Sequence, residues 1–174
     1  MSVSLAEEIA SVAARLVVDE GMEYAQAKRK AARSLGRHPR GGAELPSNER
    51  VEDQVRSYLE LFCADSQPDE LRALRELALR WMQRLAEYRP HLGGAVWRGT
   101  ATRLSSIHID LYCDDPKAAE IGLINLGVDY DVTSADGGTG VHYLSVAEHC
   151  PTLAERVTLH LAVRDRDDQR GALK

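Results

Sequence analysis

The sequence predicts an α+β fold: an α-helical N-terminal region, then a mixed or antiparallel sheet of about five strands with helices on one side. Three observations predict it. Before Pro90 the apolar residues recur three and four positions apart, the spacing of a helix face. After Pro90 they alternate with polar ones, the spacing of a strand with one face inward. The segments also come in a telling order: four helices, strand, strand, helix, then three strands. A chain of 174 residues, 44% of them hydrophobic, can hold one domain with its own core and a helical extension. The extension is expected over residues 1–66 and the domain over residues 67–174.

Leu5, Ile9, Val12, Leu16 and Val17 put a helix over residues 4–19, and Gly21 is its natural C-terminal cap. A second helix over residues 23–35 has a thin apolar stripe of Tyr24, Ala27, Ala31 and Leu35 and stops at Gly36. Residues 36–47 carry three glycines and two prolines and read as a loop. Ser47 or Asn48 can cap a third helix with the stripe Val51, Val55, Tyr58, Leu59 and Phe62. Pro68 suits the first turn of a fourth helix, whose face of Leu71, Leu74, Leu77, Ala78, Trp81, Leu85 and Tyr88 lasts until Pro90. The aromatic residues of these stripes, Tyr58, Phe62, Trp81 and Tyr88, are expected in the core.

Residues 92–97 read as a short strand. Ile107, Ile109 and Leu111 alternate with His108, Asp110 and Tyr112 as a second one. Residues 116–126 read as a helix closed by Gly127, and residues 128–132 as a third strand. The Asp136-Gly137-Gly138-Thr139-Gly140 turn leads into a fourth strand over residues 141–146, and Val157, Leu159, Leu161 and Val163 mark a fifth.

Composition narrows the function. A formal net charge of -5 is not the basic footprint of a dedicated nucleic-acid binder. The basic run Lys28, Arg29, Lys30, Arg33, Arg37 and Arg40 reads first as the wet side of a helix and loop, and second as an anion-binding face for RNA or a nucleotide. The three cysteines, Cys63, Cys113 and Cys150, form no Cys-x-x-Cys pair and fit a reducing compartment. No stretch approaches the ~20 apolar residues of a membrane span, so a cytoplasmic protein without a membrane partner is expected. No P-loop, Gly-x-Ser-x-Gly or His-Glu-x-x-His motif occurs.

The segment that decides the functional reading is Gly93-Gly94-Ala95-Val96-Trp97-Arg98-Gly99-Thr100-Ala101-Thr102, followed by Ser105-Ser106-Ile107-His108-Ile109-Asp110. It resembles the signature of the DNA polymerase beta-like nucleotidyltransferase superfamily, of the minimal nucleotidyltransferase type. In that signature a Gly-Ser turn and an Arg-Gly-x-Ala-x step lead into Ser-Asp-x-Asp on the next strand. Arg98 to Thr102 and Ser105 match. Ala95 stands where the turn serine belongs, and Ser106 and His108 stand where the two metal-binding aspartates belong.

The resemblance implies a nucleotidyltransferase fold with a degenerate active site. It points to a non-catalytic module that binds a nucleoside triphosphate or takes part in interactions. The alternative is an atypical metal-dependent nucleotidyltransferase acting on a protein, RNA or small-molecule acceptor. Gly93, Gly94, Arg98, Gly99, Ser105 and Ser106 would form the phosphate-binding side. If the protein is active, His108 and Asp110 would be the catalytic residues and the ligands of magnesium. Ser106, His108 and Asp110 are two apart and share one strand face, but only Asp110 offers the carboxylate oxygen that magnesium prefers. A rebuilt site could recruit His142 or His160 from neighbouring strands. Imidazole suits zinc, nickel or copper better than magnesium.

Overall fold

The computed structural model describes residues 3–37, 45–135 and 141–169. The chain divides into two compact units, Met1–Pro68 and Asp69–Lys174. Arg40 and the residue 136–140 turn lie outside the described residues.

The first unit packs three helices, α1 (Leu5–Glu20), α2 (Tyr24–Ser34) and α3 (Asn48–Phe62). Ser4 and Glu7 open α1 with a reciprocal capping box, each side chain accepting from the other's backbone N–H. Gly21, in the left-handed conformation at φ 67°, closes it. Ser47 caps α3 by accepting from Arg50 N at 3.2 Å. The core between them is small-sided: Ala10, Ala13, Ala14, Ala27, Ala31 and Ala32, with Ile9, Val51, Val55 and Leu59. Phe62, expected in the core, is 71% exposed. It occupies the last turn of α3, and its ring leans on Tyr58 at 4.8 Å. Tyr58 is half-buried with its hydroxyl held at 3.0 Å from both carboxylate oxygens of Asp19. Much of the basic run is engaged within the unit. Lys28 donates to Pro46 O and Asn48 Oδ1, and Lys30 pairs with Glu20 at 2.8 Å.

In the second unit one open five-stranded sheet carries its helices on one side. α4 (Gln67–Arg84) leads through a short 3-10 turn to β1 (His91–Gly93), α5 (Gly94–Arg98), β2 (Ile107–Cys113), α6 (Lys117–Asn125), β3 (Asp131–Ala135), β4 (His142–Cys150) and β5 (Glu155–Asp165). The strand order is β1-β2-β5-β4-β3, with only β2 and β5 parallel. Leu74, Leu77, Trp81 and Leu85 of α4, Val96 of α5 and Leu123 of α6 form a single core with Ile107, Ile109, Leu111, Leu144, Val146, Leu159, Leu161 and Val163. Gly122 of α6 leaves the space that the Tyr88 ring fills; a Cβ there would lie 2.2 Å from its hydroxyl.

Two elements differ from expectation. The strand expected over residues 92–97 is extended only as far as Gly93. Gly94 turns the chain at φ 68°, and residues 94–98 form one helical turn closed by Gly99 at φ 92°. Arg75 of α4 caps that turn, donating to Val96 O at 2.9 Å and Trp97 O at 3.0 Å. The strand expected over residues 128–132 begins at Asp131 instead. Gly127 N and Val128 N are used to close α6, donating to Ile124 O and Leu123 O at 3.0 Å each.

Candidate functional site

The site is built around β2. Ile107, Ile109 and Leu111 point into the core, which leaves His108 and Asp110 on the face opposite the helices. The register then fixes their neighbours. His108 lies opposite Gly93 of β1 and His160 of β5, and Asp110 lies opposite His91 and Ala162. The His108 and His160 rings stack with centroids 5.0 Å apart and planes at 22°. The glycine turn lies directly against His108. A Cβ on Gly94 would fall 3.0 Å from His108 Cδ2, so this position combines a left-handed φ with a close backbone approach, and both favour glycine. Gly93 is different: a Cβ there would meet nothing within 4 Å.

Asp110 Oδ1 lies 3.3 Å from Arg164 Nε, with both side chains about a third exposed. A pair this open to water is worth ~0–1 kcal/mol, but it holds a fixed positive charge against the carboxylate. His91 Nδ1 sits 2.8 Å from Arg89 O, and a carbonyl can only accept, so that nitrogen carries the proton. The His91 ring stands edge-on to Tyr112 at 5.2 Å. Burial, and next the negative charge of Asp110, push the Tyr112 hydroxyl above its ordinary value.

The lead into β2 is a closed turn. Ser105 Oγ accepts from Thr102 N at 2.9 Å, Ser105 N donates to Thr102 O at 2.8 Å, and Thr102 Oγ1 accepts from Leu104 N. Ser105 thus has a structural task at the position expected to meet phosphate. Ser106 is half-buried just before β2. Arg98 ends α5 with its side chain exposed, next to Gly99.

The sheet brings together His108, Asp110 and His160. It sends His142 elsewhere: His142 pairs with Val163, a core residue, so it sits on the face opposite His108 and cannot join the cluster. Sequence reasoning missed His91 and Arg164. The alternation of each strand was visible, but which strands become neighbours, and in which register, was not. A magnesium site does not fit these residues. Ser106 and His108 bring no carboxylate, and the single acid is already salt-bridged to Arg164. Among the described residues, no three His, Cys, Asp or Glu side chains converge as a metal would require. Nor is any helix there long and apolar enough to cross a membrane. Compared with known proteins, the chain matches no family model, no curated protein and no solved structure.

Proposed function

We propose that the chain is a nucleotidyltransferase-fold protein that binds a nucleoside triphosphate at residues 93–98 without turning it over. The observation that supports this reading most is the Gly94 turn. Its backbone lies against His108 at the point where β1 gives way to α5, and Gly93 beside it leaves open space. A turn without side chains lets an anion reach backbone N–H groups. Arg98, one helical turn on, offers a planar fork of donors for phosphate oxygens. The same strand lacks the paired carboxylates that would hold magnesium for transfer, and Asp110 is salt-bridged to Arg164. This donor set supports binding without turnover.

The test is calorimetric titration with each of the four nucleoside triphosphates, with and without magnesium. Arg98→Ala is expected to weaken binding by roughly tenfold to hundredfold, the equivalent of one charge-assisted hydrogen bond, with an unchanged melting temperature. Equal affinity in the variant, together with a lower melting temperature, would assign Arg98 to the fold and remove the nucleotide site. Metal-dependent pyrophosphate release that disappears in Asp110→Asn would replace this reading with the atypical transferase acting on a protein, RNA or small molecule.

A further inference from the structure

β4 is longer than the strand that covers its outer side. It pairs with β5 along its whole length, from His142 to Cys150. β3 pairs only with its first part, ending where Asp131 lies opposite Ser145. Among the described residues no strand lies opposite Val146 to Cys150 on that side. The chain leading into β3 is held away, because its backbone at Gly127 and Val128 is committed to closing α6. Between residues 126–131 and the outer edge of β4 at residues 145–148 lies a cleft of about 450 Å³. In an antiparallel ladder alternate residues turn both their N–H and C=O toward the same neighbour. Part of the backbone of residues 146–150 therefore has no strand to receive it, and residues 145–148 of that edge border the cleft.

The side chains around the cleft carry both charges. Arg84 comes from the end of α4, its guanidinium 4.4 Å from the Trp81 ring centroid, and Arg156 from β5. Asp129, Asp131 and Glu148 line the same space. Among the described residues none of these five forms an ion pair with another side chain. Opposite charges thus gather round one cleft without neutralising each other directly.

We propose that this cleft docks an extended peptide segment of a partner protein, added as a strand along residues 146–150 of β4 in the row that β3 vacates. The backbone edge selects the class of occupant. Only another polypeptide in extended form supplies N–H and C=O groups at the spacing of a strand. The charges select its composition: acidic side chains for Arg84 and Arg156, basic ones for Asp129, Asp131 and Glu148. The edge is short, so the contact belongs with small, transient interfaces. An unpaired edge of this kind otherwise invites unselective pairing, and the flanking charges reject a purely apolar strand.

Two acetylated, amidated pentapeptides serve as probes, Lys-Val-Thr-Val-Glu and its reverse, titrated to millimolar concentration into the full chain labelled with nitrogen-15. At least one is expected to shift the backbone amides of residues 126–131 and 145–150. A fully N-methylated version of the same peptide cannot donate to β4 and is expected to bind about tenfold more weakly. Arg156→Glu is expected to weaken the unmethylated peptide by about threefold to fivefold. Three results would overturn the proposal. One is no amide shift with either peptide, and another is equal binding of the N-methylated form. The third is a dimer of the free protein whose cross-links map to residues 146–150, since a second copy would then hold the edge.

Discussion

The two units bury their interiors with different materials. The helical unit closes on alanines at the helix contacts, among them Ala13 of α1 and Ala27 and Ala31 of α2, all fully buried. The sheet unit fills its core with Trp81, Leu74, Leu77, Leu85, Ile107 and Ile109. The distance between packed helices is set by the side chains at their contact. An alanine interface is therefore intolerant of added volume, whereas a core of large side chains is intolerant of lost volume. One unit should break on overpacking and the other on cavities.

The largest expected effect tests the second half of that contrast. Trp81→Ala removes the largest fully buried side chain and should cost about 3–5 kcal/mol. Urea unfolding followed by far-ultraviolet circular dichroism measures it, and a loss under about 1 kcal/mol would mean the sheet core relaxes into the space. The converse change in the helical unit is Ala13→Leu. Leucine is the better hydrophobe, yet the site has 0% exposure and lies in an alanine-rich core, so a destabilisation of about 1–3 kcal/mol is expected. A more stable variant would refute the tight-interface account.

A smaller effect separates packing from helix ends. Ser4→Ala removes the Oγ that accepts from Glu7 N, leaving only the Ser4 N–H to Glu7 half of the cap, and should lower stability by about 1 kcal/mol. Ser4→Asp, which can still accept from Glu7 N, should recover most of the loss in the same unfolding measurement.

The smallest expected effect leaves the fold alone and compares thiols. Cys63 of the helical unit is half-buried, while Cys113 and Cys150 are buried in the sheet unit. Loss of water around Cys113 pushes its thiol above the ordinary value, outweighing the backbone hydrogen bond at Ala119 that favours the thiolate. At pH 8 the thiolate fraction of Cys113 is accordingly small, and a disulfide reagent should label Cys63 well before it. The Cys113 rate should climb as the pH is raised through its elevated range. Equal rates for the three thiols at pH 8 would show that the sheet unit opens to solvent as readily as the helical one.

How far the sequence foretold these features depends on the range of the forces involved. Ser47 as a cap, Gly21 as a stop and the strand over residues 107–113 rest on neighbours a few positions away, and the structure has each of them. Residues 92–97 look like a strand because Leu92, Val96 and Trp97 are apolar. Their helical turn depends on Arg75 reaching two carbonyls from more than twenty residues earlier, which no local pattern encodes. Phe62 fits the α3 stripe by spacing, but it falls in the last turn of the helix, where its side chain is exposed. The candidate site shows the same division. The shared face of His108 and Asp110 follows from alternation. The partnership of His108 with His160 and the Arg164 salt bridge follow from register between strands some fifty residues apart, and the exclusion of His142 from the register of β4 on β5.

The parallel ladder between β2 and β5 has a consequence for how the molecule is made. β5 lies between β2 and β4 in the sheet although it comes after β3 and β4 in the sequence. During synthesis β2 emerges with only the three residues of β1 to pair with, and the β3–β4 hairpin follows with nothing to join it to β2. Both fragments must keep their apolar faces unaggregated until residues 155–165 leave the ribosome and slot between them. Assembly of the sheet should therefore be slow for a protein of this size, because its central contacts span long loops. It should also be nearly all-or-none: a nascent chain stalled before β5 holds two separate half-sheets, the sort of exposed intermediate that chaperones recognise.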